Sequence, residues 1–186
     1  MINKKLSLGL ALVIMLSLIS MSAFAATDAT IESGSLSVTA GAIENFTTVT
    51  LNGQVQTITT TIEDATITDA TGSGAGWSVA AAATPFTNST APDLLQELSS
   101  GSLVIAKPSV TAVTGASEDS DTNIVKLGGI IDSTEGIKVL SSIENQGMGT
   151  YTASFGDAEL TLTLTPSEVY AGTYTTTITT SITSAP

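Results

Sequence analysis

The most numerous side chains able to perform acid–base chemistry in this 186-residue sequence are its 17 aspartates and glutamates, and it contains no histidine and no cysteine. Without those two residue types, the sequence excludes a His-based triad, a thiol nucleophile and a zinc site of ordinary ligands. Two carboxylate pairs, Glu63–Asp64 and Asp157 with Glu159, have the residue type that glycoside hydrolysis requires. Both pairs lie at predicted turns or strand edges, where solvated acids are common. The sequence therefore argues against an enzyme.

A second group of oxygen-bearing side chains lies near the middle of the chain. Asp119, Asp121 and Asn123 occupy alternate positions and could direct oxygens at one Ca²⁺ ion. The longer EF-hand template fails, because Ile124 stands where it needs glycine and Ile130 where it needs glutamate. We interpret the segment as a polar surface loop, with a lone low-affinity calcium site as the alternative. We expect no other cofactor.

The single tryptophan, Trp77, directly follows a loop that contains Gly72, Gly74 and Gly76. Glycine permits positive φ and a close approach of the backbone, as a tight connection beside a large ring requires. The favoured interpretation is an indole that fills the end of a core. The alternative is a partly exposed ring that stacks on a sugar.

The N-terminus has the features of a secretory signal peptide: a short basic start, an apolar run over 6–21 and a small-x-small signal ending at Ala25. We expect cleavage after Ala25, a single domain over 26–186 and no association with a membrane afterwards. Removal of Lys4 and Lys5 changes the formal net charge from −12 to −14. This negative charge disfavours binding of nucleic acid, because proteins bind nucleic acid by neutralising its phosphates with Lys and Arg.

The elements that position these residues are predicted from the alternation of apolar and polar side chains. In the clearest case, Leu160, Leu162 and Leu164 alternate with threonines. This period is typical of half-buried antiparallel strands, and threonine suits their solvated face. Similar patterns predict strands over 35–40, 46–51, 56–62, 65–69, 77–83, 103–107, 110–113, 137–142, 149–155, 159–166 and 173–183, with one more over 124–127 in a loop from 115 to 135.

About ten short antiparallel strands separated by Gly, Asn and Pro predict an all-β fold, an Ig-like or Greek-key β-sandwich. One short helix is predicted over 92–99. Asp93 would lie near its N-terminus, and Leu94, Leu95 and Leu98 could form its apolar face.

The segment 68–79, TDATGSGAGWSV, resembles the pattern T-D-x-x-G-T-G-A-G-W-x-L of the WxL family, which comprises surface proteins of Gram-positive bacteria. The family has two W-x-L motifs. Trp77-Ser78-Val79 matches the first motif, and Thr180-Ser181-Ile182 aligns with the second, so the second tryptophan is absent. Further segments resemble the family and occur in its order: 34–38, 49–57, 84–86, 147–151 and 170–174. The resemblance therefore covers nearly all of the mature chain.

The resemblance implies an all-β domain, secretion and non-covalent attachment to the bacterial cell wall, with peptidoglycan as the ligand. It makes Trp77, Ser78, Val79, Thr180 and Ile182 the candidate wall-binding residues. The missing tryptophan bears on attachment and not on the fold, because Ile182 keeps the alternation of its strand.

The alternative function is that of a structural subunit in an extracellular complex or fibre. The last predicted strand, 173–183, would then lie at a sheet edge and pair with other surface proteins.

Overall fold

The computed structural model describes residues 29–90, 97–115, 123–156 and 159–185. The chain forms two compact units, 1–31 and 32–186, and every described strand belongs to the second. The predicted signal peptide lies outside the described residues. The described residues form fourteen strands, all in antiparallel pairs, which confirms the all-β prediction. The strands are β1 Leu36–Thr39, β2 Gln56–Thr60, β3 Ala65–Asp69, β4 Trp77–Ala83, β5 Thr87–Asn88, β6 Leu103–Ile105, β7 Ser109–Ala112, β8 Ile124–Lys126, β9 Gly129–Ile130, β10 Ile137–Ser142, β11 Gly149–Ser154, β12 Leu160–Leu164, β13 Tyr174–Thr175 and β14 Ile178–Ser184.

Two four-stranded sheets face each other across the core. The first has the strand order β1-β3-β11-β7 and the second the order β14-β4-β10-β8. Strand β1 lies beside β14 at one edge and β7 beside β8 at the other, while Trp77 of β4 contacts Tyr151 of β11 between the sheets. This arrangement is the sandwich that the alternating pattern predicts.

A third sheet, with the order β2-β12-β6-β9, is largely a continuation of the first along the same chain segments. Strand β2 leads into β3, β6 into β7, and β11 into β12, so that each segment contributes to both sheets. Strands that switch sheets in this way form the corners of many sandwiches. The buried Leu103 and Leu160 bring the third sheet into the same hydrophobic cluster as Trp77. Strands β5 and β13 form a separate two-stranded sheet.

The segment 46–51 contains no strand, so that prediction is wrong. Phe46 and Val49 both pack partly against the core, and a spacing of three places two residues on opposite faces of a strand. An irregular path solves this conflict. The Phe46 ring contacts Phe86 edge-on, with ring centroids 6.1 Å apart, and the Gln56 side-chain amide donates to the Thr50 carbonyl at 3.1 Å.

The prediction of a helix over 92–99 is wrong for residues 97–99, which are the described part of that range. Residues 91–96 lie outside the described part of the chain, but Glu97 forms a β-bridge with Thr87. The Leu98 N–H donates to the Phe86 carbonyl at 2.9 Å, and the Leu98 side chain is buried. Leu98 therefore reaches the core from a bridged, extended segment and not from a helix face.

The strand predicted over 173–183 is divided into β13 and β14, which belong to different sheets. Thr84 holds the chain at the division. Its N–H donates to the Thr177 carbonyl at 3.0 Å, and its hydroxyl accepts the Thr177 N–H at 3.0 Å. Strands β5 and β9 were not predicted, because two residues are too few to show an alternating pattern.

Candidate functional site

Trp77 begins β4 with its side chain completely buried, at 0% exposure. Its Nε1–H donates to the Gly147 carbonyl at 2.8 Å, and its ring centroid lies 6.3 Å from that of Tyr151 at an angle of 50°. A buried aromatic side chain with a satisfied polar atom adds a large apolar area to a core. The structure therefore places Trp77 in the core, where its ring presents no surface on which a sugar could stack.

Three glycines let the backbone close around the indole. Gly74, Gly76 and Gly147 have φ values of +65°, +76° and +72°. A Cβ at Gly76 would lie 2.5 Å from the Ser142 carbonyl oxygen, and one at Gly147 would lie 2.2 Å from the Ser142 hydroxyl. The Asn145 N–H also donates to the Gly74 carbonyl at 2.6 Å. The glycine loop, the turn at 142–147 and the tryptophan thus form one packed unit.

The other residues predicted from the two W-x-L motifs are divided between the two faces of their sheet. The register of β14 against β4 pairs Ile182 with Val79 and Thr183 with Ser78. Val79 is buried, and Thr180 and Ile182 are half-buried on the same inner face as the tryptophan. Ser78 lies on the outer face, where its Oγ is 3.0 Å from Thr183 Oγ1. Ser78 is therefore the only one of the five candidates on the outer face of the sheet.

On strands β4, β10 and β14 the outer face of this sheet, called the hydroxyl face below, is covered with small and polar side chains that are all at least partly exposed. On the edge strand β8 the exposed Val125 lies beside Ser141 on the same side. Short side chains leave such a face flat, and each hydroxyl can both donate and accept hydrogen bonds. Its members are Ser78, Ala80 and Ala82 of β4, Lys138 and Ser141 of β10, and Thr179, Ser181 and Thr183 of β14.

The sheet that carries the hydroxyl face contains the two lysines of the described strands and no acid. Acids are rare in all the described strands, where Asp69 of β3 is the only one. Lys138 is exposed on the face, and Lys126 lies on the edge strand β8 of the same sheet. No other described strand contains a lysine. A ligand with carboxylates therefore meets a cation here and no acid of the sheet itself.

The structure describes only part of the predicted calcium site. Asn123 is half-buried immediately before β8, whereas Asp119 and Asp121 lie outside the described residues. The calcium site stays a prediction.

The two predicted carboxylate pairs lie in different surroundings. Glu63 and Asp64 are exposed in the connection between β2 and β3. Glu159 is buried and accepts the N–H of Ile62, while its predicted partner Asp157 lies outside the described residues. Glu159 thus fixes the backbone where the chain passes from one sheet to the next.

Asp132 is a buried polar residue that no motif of the sequence identifies. Its side chain is 2% exposed, and its carboxylate accepts the N–H groups of Gly101, Ser102 and Leu103 at 2.9, 3.0 and 3.1 Å. The Ser102 hydroxyl donates to it as well, at 2.8 Å. Successive amides that converge on one anion form a nest. The bonds tie the turn before β6 to the segment after β9, which lies about thirty residues away in the sequence.

Residues 15–186 match the family model described as "WxL domain surface cell wall-binding". The match covers nearly the whole chain, so the chain belongs to the WxL family and acts at the cell surface, where this family binds the cell wall. No curated protein and no solved structure matches it. Within the described residues, no helix is long and apolar enough to cross a membrane.

Proposed function

We propose that this chain is a secreted, non-enzymatic surface protein of a Gram-positive bacterium that binds peptidoglycan non-covalently through the hydroxyl face. Family membership supports the wall as the ligand. The observation that carries the choice of face is the register of β4 and β14. It directs Trp77, Val79 and Ile182 inward and leaves the hydroxyls of both W-x-L strands, except that of Thr180, on the solvent side.

The chemistry of the face fits that of peptidoglycan, which offers sugar hydroxyls, amides and carboxylates along an extended polymer. The sugar hydroxyls and the amides can exchange hydrogen bonds with Ser78, Thr179, Ser181 and Thr183, and the carboxylates are attracted by Lys138. A single neutral hydrogen bond contributes only about 0.5–1.5 kcal/mol. Binding therefore needs several contacts made together, as a flat face against a repeating polymer provides.

Trp77 serves this binding indirectly. Its indole fixes the start of β4 against Gly147 and Tyr151, and β4 supplies the central row of the hydroxyl face. In this proposal Trp77 is a positioning residue, and the ligand contacts the opposite side of its strand.

A sedimentation assay tests the proposal. The protein without residues 1–25 is mixed with purified sacculi stripped of teichoic acids, and its oligomeric state is measured by size-exclusion chromatography. We expect a monomer that sediments with the sacculi. A monomer that stays in the supernatant at all sacculus concentrations would contradict wall binding.

A second candidate function, assembly with other surface proteins, is favoured by the position of β14. This strand is the edge of its four-stranded sheet, and an edge strand presents backbone N–H and C=O groups to an incoming strand. The same experiment separates the two functions. Oligomers that grow with protein concentration, without sedimentation, would support assembly.

A further inference from the structure

An apolar cavity of about 290 Å³ lies between the facing sheets. Its inner wall includes Ile67, Val79, Leu140 and Leu160, which are all buried. None of the described residues that line it is charged. Protein interiors pack densely and leave few voids larger than a water molecule. A void of this size forfeits many contacts between side chains, so it is better explained by a guest than by packing.

The cavity opens at the edge where the two sheets approach each other. The lining residues that are at least partly exposed include Val38 of β1, Ile43, and two residues of β14, Ile178 and Thr180. Strands β1 and β14 are the edges of the facing sheets and lie side by side without pairing. Thr180 has the one polar side chain of the lining, and it stands at this opening.

We propose that the cavity binds an unbranched alkyl chain of about ten carbons with an uncharged polar head, the chain inside and the head beside the Thr180 hydroxyl. An apolar cavity of about 150 Å³ stays dry and holds benzene. On that scale, a cavity of about twice the volume holds about twelve non-hydrogen atoms, which is close to the size of a ten-carbon chain together with its polar head. The aliphatic lining matches the chain, and the hydroxyl at the opening matches the head.

The surroundings of the opening favour an uncharged head over a carboxylate. Glu44 follows Ile43 in the sequence, and Glu63 and Asp64 precede Ala65, another lining residue. All three acids are exposed. An anionic head placed among them would be repelled, and the net charge of the chain adds to the repulsion.

Calorimetric titration of the protein without residues 1–25 tests the proposal, with straight-chain 1-alkanols from hexanol to dodecanol as probes below their solubility limits. Each added methylene should raise the affinity about fourfold while it enters the cavity. The gain should end near decanol, when the cavity is full. Decanoate should bind more weakly than decanol, because the acids at the opening repel its head.

Two variants locate the site. Thr180→Trp places an indole in the opening and should abolish binding of decanol. Thr57→Trp adds the same ring at an exposed position of β2, in another sheet and outside the cavity lining, and should leave binding of decanol unchanged.

Absence of binding by every alkanol would overturn the proposal. So would an affinity that still rises from decanol to dodecanol, which indicates adsorption to a surface, or unchanged binding by folded Thr180→Trp protein. If that variant does not fold, the chain-length series on the unaltered protein decides alone. The inference rests on the cavity and not on wall binding, so either can fail without the other.

Discussion

At the scale of single residues, Trp77 lies where three parts of the chain meet: the start of β4, the turn at 142–147 and β11. Its ring is held by one hydrogen bond and by a neighbouring aromatic ring, and the glycines around it leave no room for larger residues. The most recognisable residue of the sequence thus acts through the fold. In the proposed function, the ligand-facing chemistry belongs to its less conspicuous neighbour, Ser78.

Replacing Trp77 with alanine should therefore destabilise the domain. We expect a loss of about 3–5 kcal/mol in the free energy of unfolding, since a fully buried ring is removed and a cavity remains. Urea denaturation followed by far-UV circular dichroism measures it, because the variant has no tryptophan fluorescence. Tyr170→Ala is the control, as Tyr170 is 51% exposed and its loss should change stability by about 0.5 kcal/mol or less. Equal stability of the two variants would show that the indole is not a core residue.

Glycine 147 provides a second test at this scale. Gly147→Ala should cost more stability than Gly72→Ala, although both positions have positive φ, +72° and +65°. Positive φ costs alanine about 1–2 kcal/mol at either site. Only at Gly147 does the new Cβ also collide with Ser142, since nothing lies within 4 Å at Gly72. Thermal denaturation of both variants measures the difference, and equal melting temperatures would rule out the collision.

At the scale of elements, the buried carboxylate of Asp132 holds the start of β6. Asp132→Ala removes a carboxylate that accepts three backbone N–H groups, of which that of Ser102 keeps the Ser99 carbonyl at 3.3 Å. We expect a loss of at least about 2 kcal/mol in the free energy of unfolding. Asp64→Ala is the matched control, because Asp64 is exposed. Urea denaturation compares the two, and a loss no larger than that of the control would mean that water replaces the carboxylate.

The strands show how far the alternating pattern can be trusted. Strands β3, β4 and β10 have the bounds that the sequence predicts, because each has a continuous run of strand-forming residues between glycines or polar turns. The pattern fails where another constraint is stronger. Residues 46–51 leave strand geometry so that Phe46 and Val49 can both reach the core, and the last strand is divided where Thr84 bonds Thr177.

The sequence predicts which strands carry the candidate site but not which face of those strands meets solvent. The two W-x-L segments identify β4 and β14, and a period of two places Ser78 opposite Trp77 and Val79. Which of these faces meets solvent depends on the facing sheet, which a single strand does not encode. The apolar cavity was equally beyond prediction, since its lining comes from strands that are far apart in the sequence.

At the scale of the whole molecule, charge sets the conditions of binding. With residues 1–25 removed, the formal net charge is −14, and a wall rich in anionic teichoic acids should repel such a chain. Salt screens this repulsion. We therefore expect affinity for intact walls to fall little, or to rise, as salt increases from low to physiological concentration. Sedimentation with intact walls measures it, and a steep loss over that interval would contradict binding by hydrogen bonds.

The central claim is that the hydroxyl face binds the wall, and a pair of matched variants tests it most directly. Thr179→Glu with Thr183→Glu adds two negative charges to β14, an edge strand of that face. Thr57→Glu with Thr59→Glu adds the same charges to exposed positions of β2, the edge of another sheet.

Sedimentation of both proteins with stripped sacculi, after circular dichroism has shown that both are folded, gives the answer. We expect the β14 variant to lose about tenfold or more in affinity, since two hydroxyls are replaced by acids that repel peptidoglycan carboxylates. The β2 variant should bind like the unaltered protein. Equal binding by the two variants would contradict the assignment of the wall-binding surface to the hydroxyl face.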